Sequence, residues 1–154
     1  MIVTELLSPD HVVAGLHASS KAAVLEKLGR LAGSVLSLNG SAILAALLKR
    51  EALGSTGLGD GIALPHARLD VVHRPFGLLG QLRKAIDFDA VDEQPVDLVF
   101  LLLLPTNPHG EQLNALACVA RRLRDADAAA AMRGTRDAAS LYAAMCGPEL
   151  VSRA

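Results

Sequence analysis

A single α/β domain, with a central mixed β-sheet flanked by helices on its faces, is the fold this sequence predicts. Three observations carry that expectation. Apolar residues recur at helical spacing in the first third of the chain and again in its last third. Between those blocks a continuous apolar run, Val96 to Leu104, has the length and character of a strand buried on both faces. The chain has 154 residues, 51% hydrophobic and 20% charged, which suits one domain spanning 1–154 with a core over roughly 3–147.

The elements follow in order. Ser19 or Ser20 caps a helix over Lys21 to about Ser34, because Val24, Leu25, Leu28, Leu31, Ala32 and Val35 share one face. An Ala/Leu-rich stretch from Ser41 to Leu53 gives a second helix that ends at Gly54, with Arg50 in its last turns, a favourable place for a cation. Gly77 to Arg83 is a strand, and Val96 to Leu104 is the central one. Crossovers long enough for parallel pairing are present, yet Gly77 to Arg83 can equally pair antiparallel, so a mixed sheet is expected. Asn107 as N-cap and Pro108 at the first helical position start a helix running to about Arg124, with Leu113, Leu116, Ala117, Ala120 and Leu123 as its apolar face. Two short helices, Asp127 to Arg133 and Arg136 to Met145, are broken at Gly134 and closed by Gly147-Pro148.

Bulk properties exclude several functions. The net charge is -1, acids and bases are interleaved, and aromatic residues are 3% with no Trp, so neither a nucleic-acid footprint nor a base-stacking platform is present. The longest apolar run is too short to span a bilayer, and the first residues lack the order of a signal peptide, which predicts a cytoplasmic protein without membrane insertion. Cys118 and Cys146 read as buried reduced thiols, with a disulfide between them as the alternative. The histidines and cysteines show no metal-ligand spacing, and no cofactor is implied.

The segment from Gly54 to His66 carries the chemistry. Four glycines in eight residues, Gly54 to Gly61, make a backbone that can turn sharply and present N–H groups to an anion. An apolar run then enters Pro65-His66, so His66 is expected to follow a short strand as it ends and to be held stiffly at a loop mouth. A neutral imidazole is a nucleophile with an ordinary pKa near ~6.5. Gly57-x-Gly59-x-Gly61 invites a nucleotide reading, but no Gly-Lys-Ser/Thr follows and the loop leads toward a strand instead of a helix. Ser55 and Thr56 can offer hydroxyls to an anion or serve as local turn residues. Asp60 beside an anion site is expected to face away.

Arg50-Glu51-x-x-Gly54-Ser55-Thr56-Gly57-x-Gly59-x-Gly61-Ile62-Ala63-Leu64-Pro65-His66-Ala67 resembles the phosphohistidine signature of type-2 IIA domains of the bacterial phosphotransferase system, most of all their nitrogen-regulatory branch. Ala85 to Ala90, Asp92 to Phe100 and Ala120-Arg121-Arg122-Leu123 fit the same family in the same order, covering nearly the whole chain. The resemblance implies a mixed sheet with helices on its faces and a phosphoryl carrier. His66 would accept a phosphoryl group from a small histidine-phosphorylated carrier protein of the HPr or NPr kind, and Arg50 would bind its oxygens. It makes the protein an enzyme only in the limited sense of transfer through a phosphohistidine, with no small-molecule turnover, and leaves its regulated target proteins open. The family's second histidine, near the start of the helix after the central strand, aligns with Gln112, while His109 lies three residues earlier. Either Gln112 substitutes as a neutral donor or His109 reaches in from the first turn, and the alignment favours Gln112. A sugar-transport IIA subunit passing phosphate to a IIB partner, and a protein-binding module that is no longer phosphorylated, are the alternatives to a regulator.

Overall fold

A computed structural model describes residues 1–106 and 111–147, apart from the side chains of Glu111 and Gln112. Two 3-10 turns, Val3–Glu5 and Pro9–His11, lead into β1 (Val12–Leu16). Helices α1 (Lys21–Leu36) and α2 (Gly40–Ala52) follow, then three short strands, β2 (Gly57–Gly59), β3 (Ile62–Ala63) and β4 (His66–Arg68). Two long strands, β5 (Phe76–Ile86) and β6 (Val96–Leu104), precede α3 (Glu111–Arg124), α4 (Ala126–Arg133) and α5 (Ala138–Cys146).

The sheet is mixed, in the order β1-β5-β6-β3-β2, with β4 also on β6. Strand β5 pairs parallel with β1 and antiparallel with β6, while β3 and β4 both run parallel to β6. The continuous apolar character of β6 has a simple cause. Val99, Leu101 and Leu103 pack on the layer of α1 and α2, with Val24, Leu25, Leu28, Ile43 and Leu47. Leu98, Phe100, Leu102 and Leu104 pack on the opposite layer, with Val119, Leu123, Met132, Leu141 and Met145. Both faces of the strand are therefore covered.

Helix ends follow local chemistry. The Ser20 hydroxyl accepts from the Ala23 N–H at 3.1 Å, Asn39 caps α2, and Asp125 and Asp137 cap α4 and α5. The starts expected at Asp127 and Arg136 are shifted because those two aspartates, each just ahead of an Ala-rich run, are better caps. Asn107, Pro108, His109 and Pro148 lie outside the described residues.

One expectation is corrected and one is extended. On α3 the core face is Ala115, Val119 and Leu123, whereas Leu113 is 69% exposed and Ala117 is also exposed. The apolar stripe is wider than the core needs, and part of it faces elsewhere. His66 follows the short strand β3, which ends at Ala63, and in addition opens a strand of its own, β4. The Leu64 N–H turns back to the Thr56 carbonyl and Pro65 has no N–H, so pairing along β6 breaks between β3 and β4 and resumes where the Pro65 carbonyl accepts from Leu102.

Candidate functional site

The last turn of α2, the glycine loop and β4 bring Arg50 and His66 together. The His66 Nδ1 lies 2.9 Å from the Leu64 carbonyl oxygen. A carbonyl can only accept, so Nδ1 carries the proton and the lone pair of the neutral ring sits on Nε2. The Arg50 Nε–H points at that Nε2 from 3.3 Å, and Arg50 Nη1 donates to the Gly54 carbonyl at 2.8 Å. The imidazole is thus fixed in orientation and tautomer, with its basic nitrogen beside a guanidinium.

Burial is the main influence that holds the His66 pKa below the ordinary imidazole value. The hydrogen bond to Leu64 opposes it; Arg50 and Arg68 add to the lowering, and Glu51 works the other way. The net result favours a neutral, nucleophilic ring.

Two adjoining hollows meet at His66. One, of about 320 Å³, is bounded by Arg50, Ser55, Thr56, Leu58 and Leu64 together with Leu116, Ala117 and Ala120 of α3. The other, of about 440 Å³, lies between α2 and α3 over β4 and includes Lys49, Leu53, Arg68 and Leu104. Ala117, which the core does not use, and Leu116 and Ala120, which pack only at its edge, therefore line the His66 surround. Gln112 is in the first turn of α3, four residues before Leu116; His109 lies outside the described residues.

Ser55 and Thr56 border the first hollow, but their hydroxyls are engaged. The Ser55 hydroxyl donates to the Phe88 carbonyl at 2.7 Å and accepts from the Gly57 N–H at 3.0 Å. Thr56, only 3% exposed, donates its hydroxyl and its N–H to the Glu51 carboxylate. Glu51 in turn pairs with Lys21 at 2.8 Å, and the Lys21 ammonium lies 4.8 Å from the centre of the Phe88 ring. Glu51 and Lys21 are participants that sequence reasoning did not single out. The available signal was an acid directly after Arg50, five residues before a threonine.

The far end of the loop is locked differently. Asp60 has φ 57 and its N–H donates to Asp92, while its carbonyl accepts from Arg133 at 2.6 Å. A Cβ on Gly57 would lie 2.8 Å from the Ala90 backbone, so that position needs glycine for space, while Gly61 needs it for its φ of 79.

Among the described residues, no group of His, Cys, Asp and Glu side chains is arranged to hold a metal ion, and no helix is long and apolar enough to cross a membrane.

Known proteins resemble this chain in sequence and fold. The family model described as "Phosphoenolpyruvate-dependent sugar phosphotransferase system, EIIA 2" matches residues 5–145. A nitrogen regulatory protein of Bradyrhizobium diazoefficiens is 41% identical over 148 residues, which is 96% of this chain and 97% of that protein. The nitrogen regulatory protein of Escherichia coli (strain K12) is 38% identical over 141 residues, 91% of this chain and 86% of that protein. The crystal structure of nitrogen regulatory protein IIA-Ntr from Neisseria meningitidis superposes with a TM-score of 0.87 at 34% identity, covering 93% of this chain and 98% of that one. With the matches running over nearly its full length, the chain belongs to the type-2 EIIA family of the phosphotransferase system, on its nitrogen-regulatory branch.

Proposed function

We propose that this protein is a phosphoryl carrier and regulator: Nε2 of His66 takes a phosphoryl group from a histidine-phosphorylated carrier protein, and the state of His66 decides which partner proteins bind. The observation that carries the reading is the tautomer lock. With Nδ1–H held by the Leu64 carbonyl, the Nε2 lone pair faces the cleft beside Arg50.

In the step, the Nε2 lone pair attacks phosphorus in line as the bond between phosphorus and the donor's ring nitrogen breaks. That nitrogen leaves with the electron pair, a new N–P bond forms, and the Nδ1 proton stays in place. Positioning and charge do most of the work in such a transfer. As Nε2 spends its lone pair on phosphorus, the Arg50 Nε–H that pointed at it is released, so Nε and Nη2 can donate to phosphoryl oxygens while Nη1 stays on the Gly54 carbonyl. Gln112, in the first turn of α3, supplies a neutral amide donor in the family's second-histidine position.

His66→Ala is expected to abolish acid-labile phosphorylation by the phosphorylated carrier, read by mass spectrometry, while circular dichroism stays native. A variant that still gains one phosphate at the wild-type rate would remove His66 as acceptor. Regulation is tested by affinity capture with wild-type and His66→Glu baits. If the only partner sensitive to phosphorylation is a sugar-specific IIB protein whose transport depends on His66, transport replaces regulation.

A further inference from the structure

Strand β4 has an open side. The Leu102 N–H donates to the Pro65 carbonyl and the Leu69 N–H donates to the Leu104 carbonyl, both at 2.9 Å. With His66 opposite Leu102 and Arg68 opposite Leu104, the main-chain groups of residues 65, 67 and 69 face β6. Those of His66 and Arg68 point the other way, and among the described residues no strand pairs there. An unpaired strand edge is a template for another chain.

What surrounds this edge selects the chain. Lys49, Arg50 and Arg68 rim the 440 Å³ hollow, and no carboxylate of the described residues forms an ion pair with any of them. Glu51, next to Arg50 in sequence, is turned inward to Lys21 and Thr56, and Asp70, two residues past Arg68, accepts from the Thr106 hydroxyl at 2.7 Å. Between the cations are Ala46, Leu104, Leu116 and Leu53, the last 83% exposed. The cleft therefore combines edge hydrogen-bonding groups, positive charge that no carboxylate of the described residues pairs, and an apolar seat.

We propose that the open edge of β4 docks an extended, acidic segment of a regulated partner as an added strand, and does so while His66 is unphosphorylated. Main-chain bonds to His66 and Arg68 would hold the segment. Acidic side chains would meet Lys49 and Arg68, and an aliphatic one would enter between Leu53 and Leu116. A phosphoryl group on Nε2 adds about -1.5 to -2 charge and draws on Arg50, so the same acids would then meet a like charge. The release by phosphorylation rests on the function proposed above; the docking itself does not.

Selection of random peptides displayed on phage against the full, unphosphorylated chain tests the idea. Recovered sequences should be rich in Asp and Glu alternating with aliphatic residues, and should shift the amide resonances of His66 and Arg68. Arg68→Glu should weaken them by about tenfold or more. Arg68→Pro, which removes an outward N–H without breaking the ladder to β6, should weaken them more than Arg68→Gln. Phosphorylated protein should release them. Peptides without an acidic bias, peptides that bind Arg68→Glu like wild type, or resonance shifts away from β4 would each overturn the docking. Peptides that behave as expected on unphosphorylated protein, with no phosphorylation of His66 obtainable, would uphold the docking and sink the carrier reading instead.

Discussion

The glycine loop is gripped by an arginine at each end, and the two arginines differ in what answers their charge. At the Asp60-Gly61 end, Arg133 Nε lies 3.1 Å from both oxygens of Asp97, and Nη2 reaches Asp97 and the Asp60 carbonyl. That guanidinium is neutralised and largely used up. At the Gly54 end, Arg50 meets one carbonyl and one imidazole nitrogen, and no carboxylate of the described residues pairs with it. A structural arginine is satisfied by the fold; one meant for an incoming anion keeps charge and donors in reserve. The same loop is tied down at one end and left electrically unfinished at the other.

The sharpest way to break this contrast is to remove each arginine in turn. Arg50→Ala should slow phosphoryl transfer by about 10²–10³, the loss seen when one donor to a developing anion is deleted, with little change in stability. Arg50→Lys should lose less, because an ammonium restores charge without the planar fork. Arg133→Ala should leave the rate near wild type and lower stability by about 1–2 kcal/mol in urea unfolding. Equal slowing by the two alanine variants would erase the distinction.

Next in size is Glu51, the acid that organises the Arg50 end as Asp97 organises the other. Glu51→Ala would leave the Thr56 hydroxyl and N–H and the Lys21 ammonium without their shared acceptor, at a cost of about 1–3 kcal/mol. Glu51→Gln keeps an acceptor for the Thr56 N–H and should recover part of that loss. Urea midpoints for the two variants decide it; a neutral Glu51→Ala would mean that the network does not hold the loop.

How much of this was legible beforehand depended on whether a signal was local. Strand β6 and the helices carry their own periodicity and caps, so their outlines are visible in the residues. Strand β1 is not, because Val12–Leu16 is short, contains Gly15 at φ 68, and is a strand only by pairing with residues 79–82. Strands β2, β3 and β4 are two or three residues each, set by their neighbours more than by propensity. His66 and Arg50 stood out because a helix end, a glycine loop and a proline converge on them. Lys21 did not, since its partner Glu51 is thirty residues away and meets it only when α1 lies beside α2.

A smaller effect separates the two arginines by pH. Burial, aided by Arg50, keeps the folded His66 pKa below the ordinary 6.5. As pH falls from about 6.5 toward that lower value, the unfolded chain takes a proton that the folded one refuses, so stability declines through this window and is fully present above it. The Nε2 lone pair, for its part, persists to more acidic pH than in a free imidazole. Ring resonances of His66 should titrate below 6.5 in the wild type, move upward in Arg50→Gln, and stay put in Arg133→Gln. An unchanged titration in Arg50→Gln would show that the guanidinium does not act on the ring.

The smallest expected effect concerns Gln112, proposed above as a second donor to the phosphoryl group. Gln112 is in the first turn of α3, four residues before Leu116, which lines both hollows at His66. Being neutral, it offers a phosphoryl oxygen one ordinary hydrogen bond, worth about 1 kcal/mol, where Arg50 offers a charged fork. Gln112→Ala should therefore slow phosphorylation or shorten the phosphohistidine lifetime by less than Arg50→Ala does, and by more than His109→Ala. Gln112→His should lengthen that lifetime most at pH values where the new ring is protonated, because a cation then stands where a dipole stood. Rates and lifetimes measured across pH for the three variants give the order. If His109→Ala proves the more damaging of the two alanine changes, the second donor comes from the residues ahead of α3, and Arg50 is assisted by an imidazole after all.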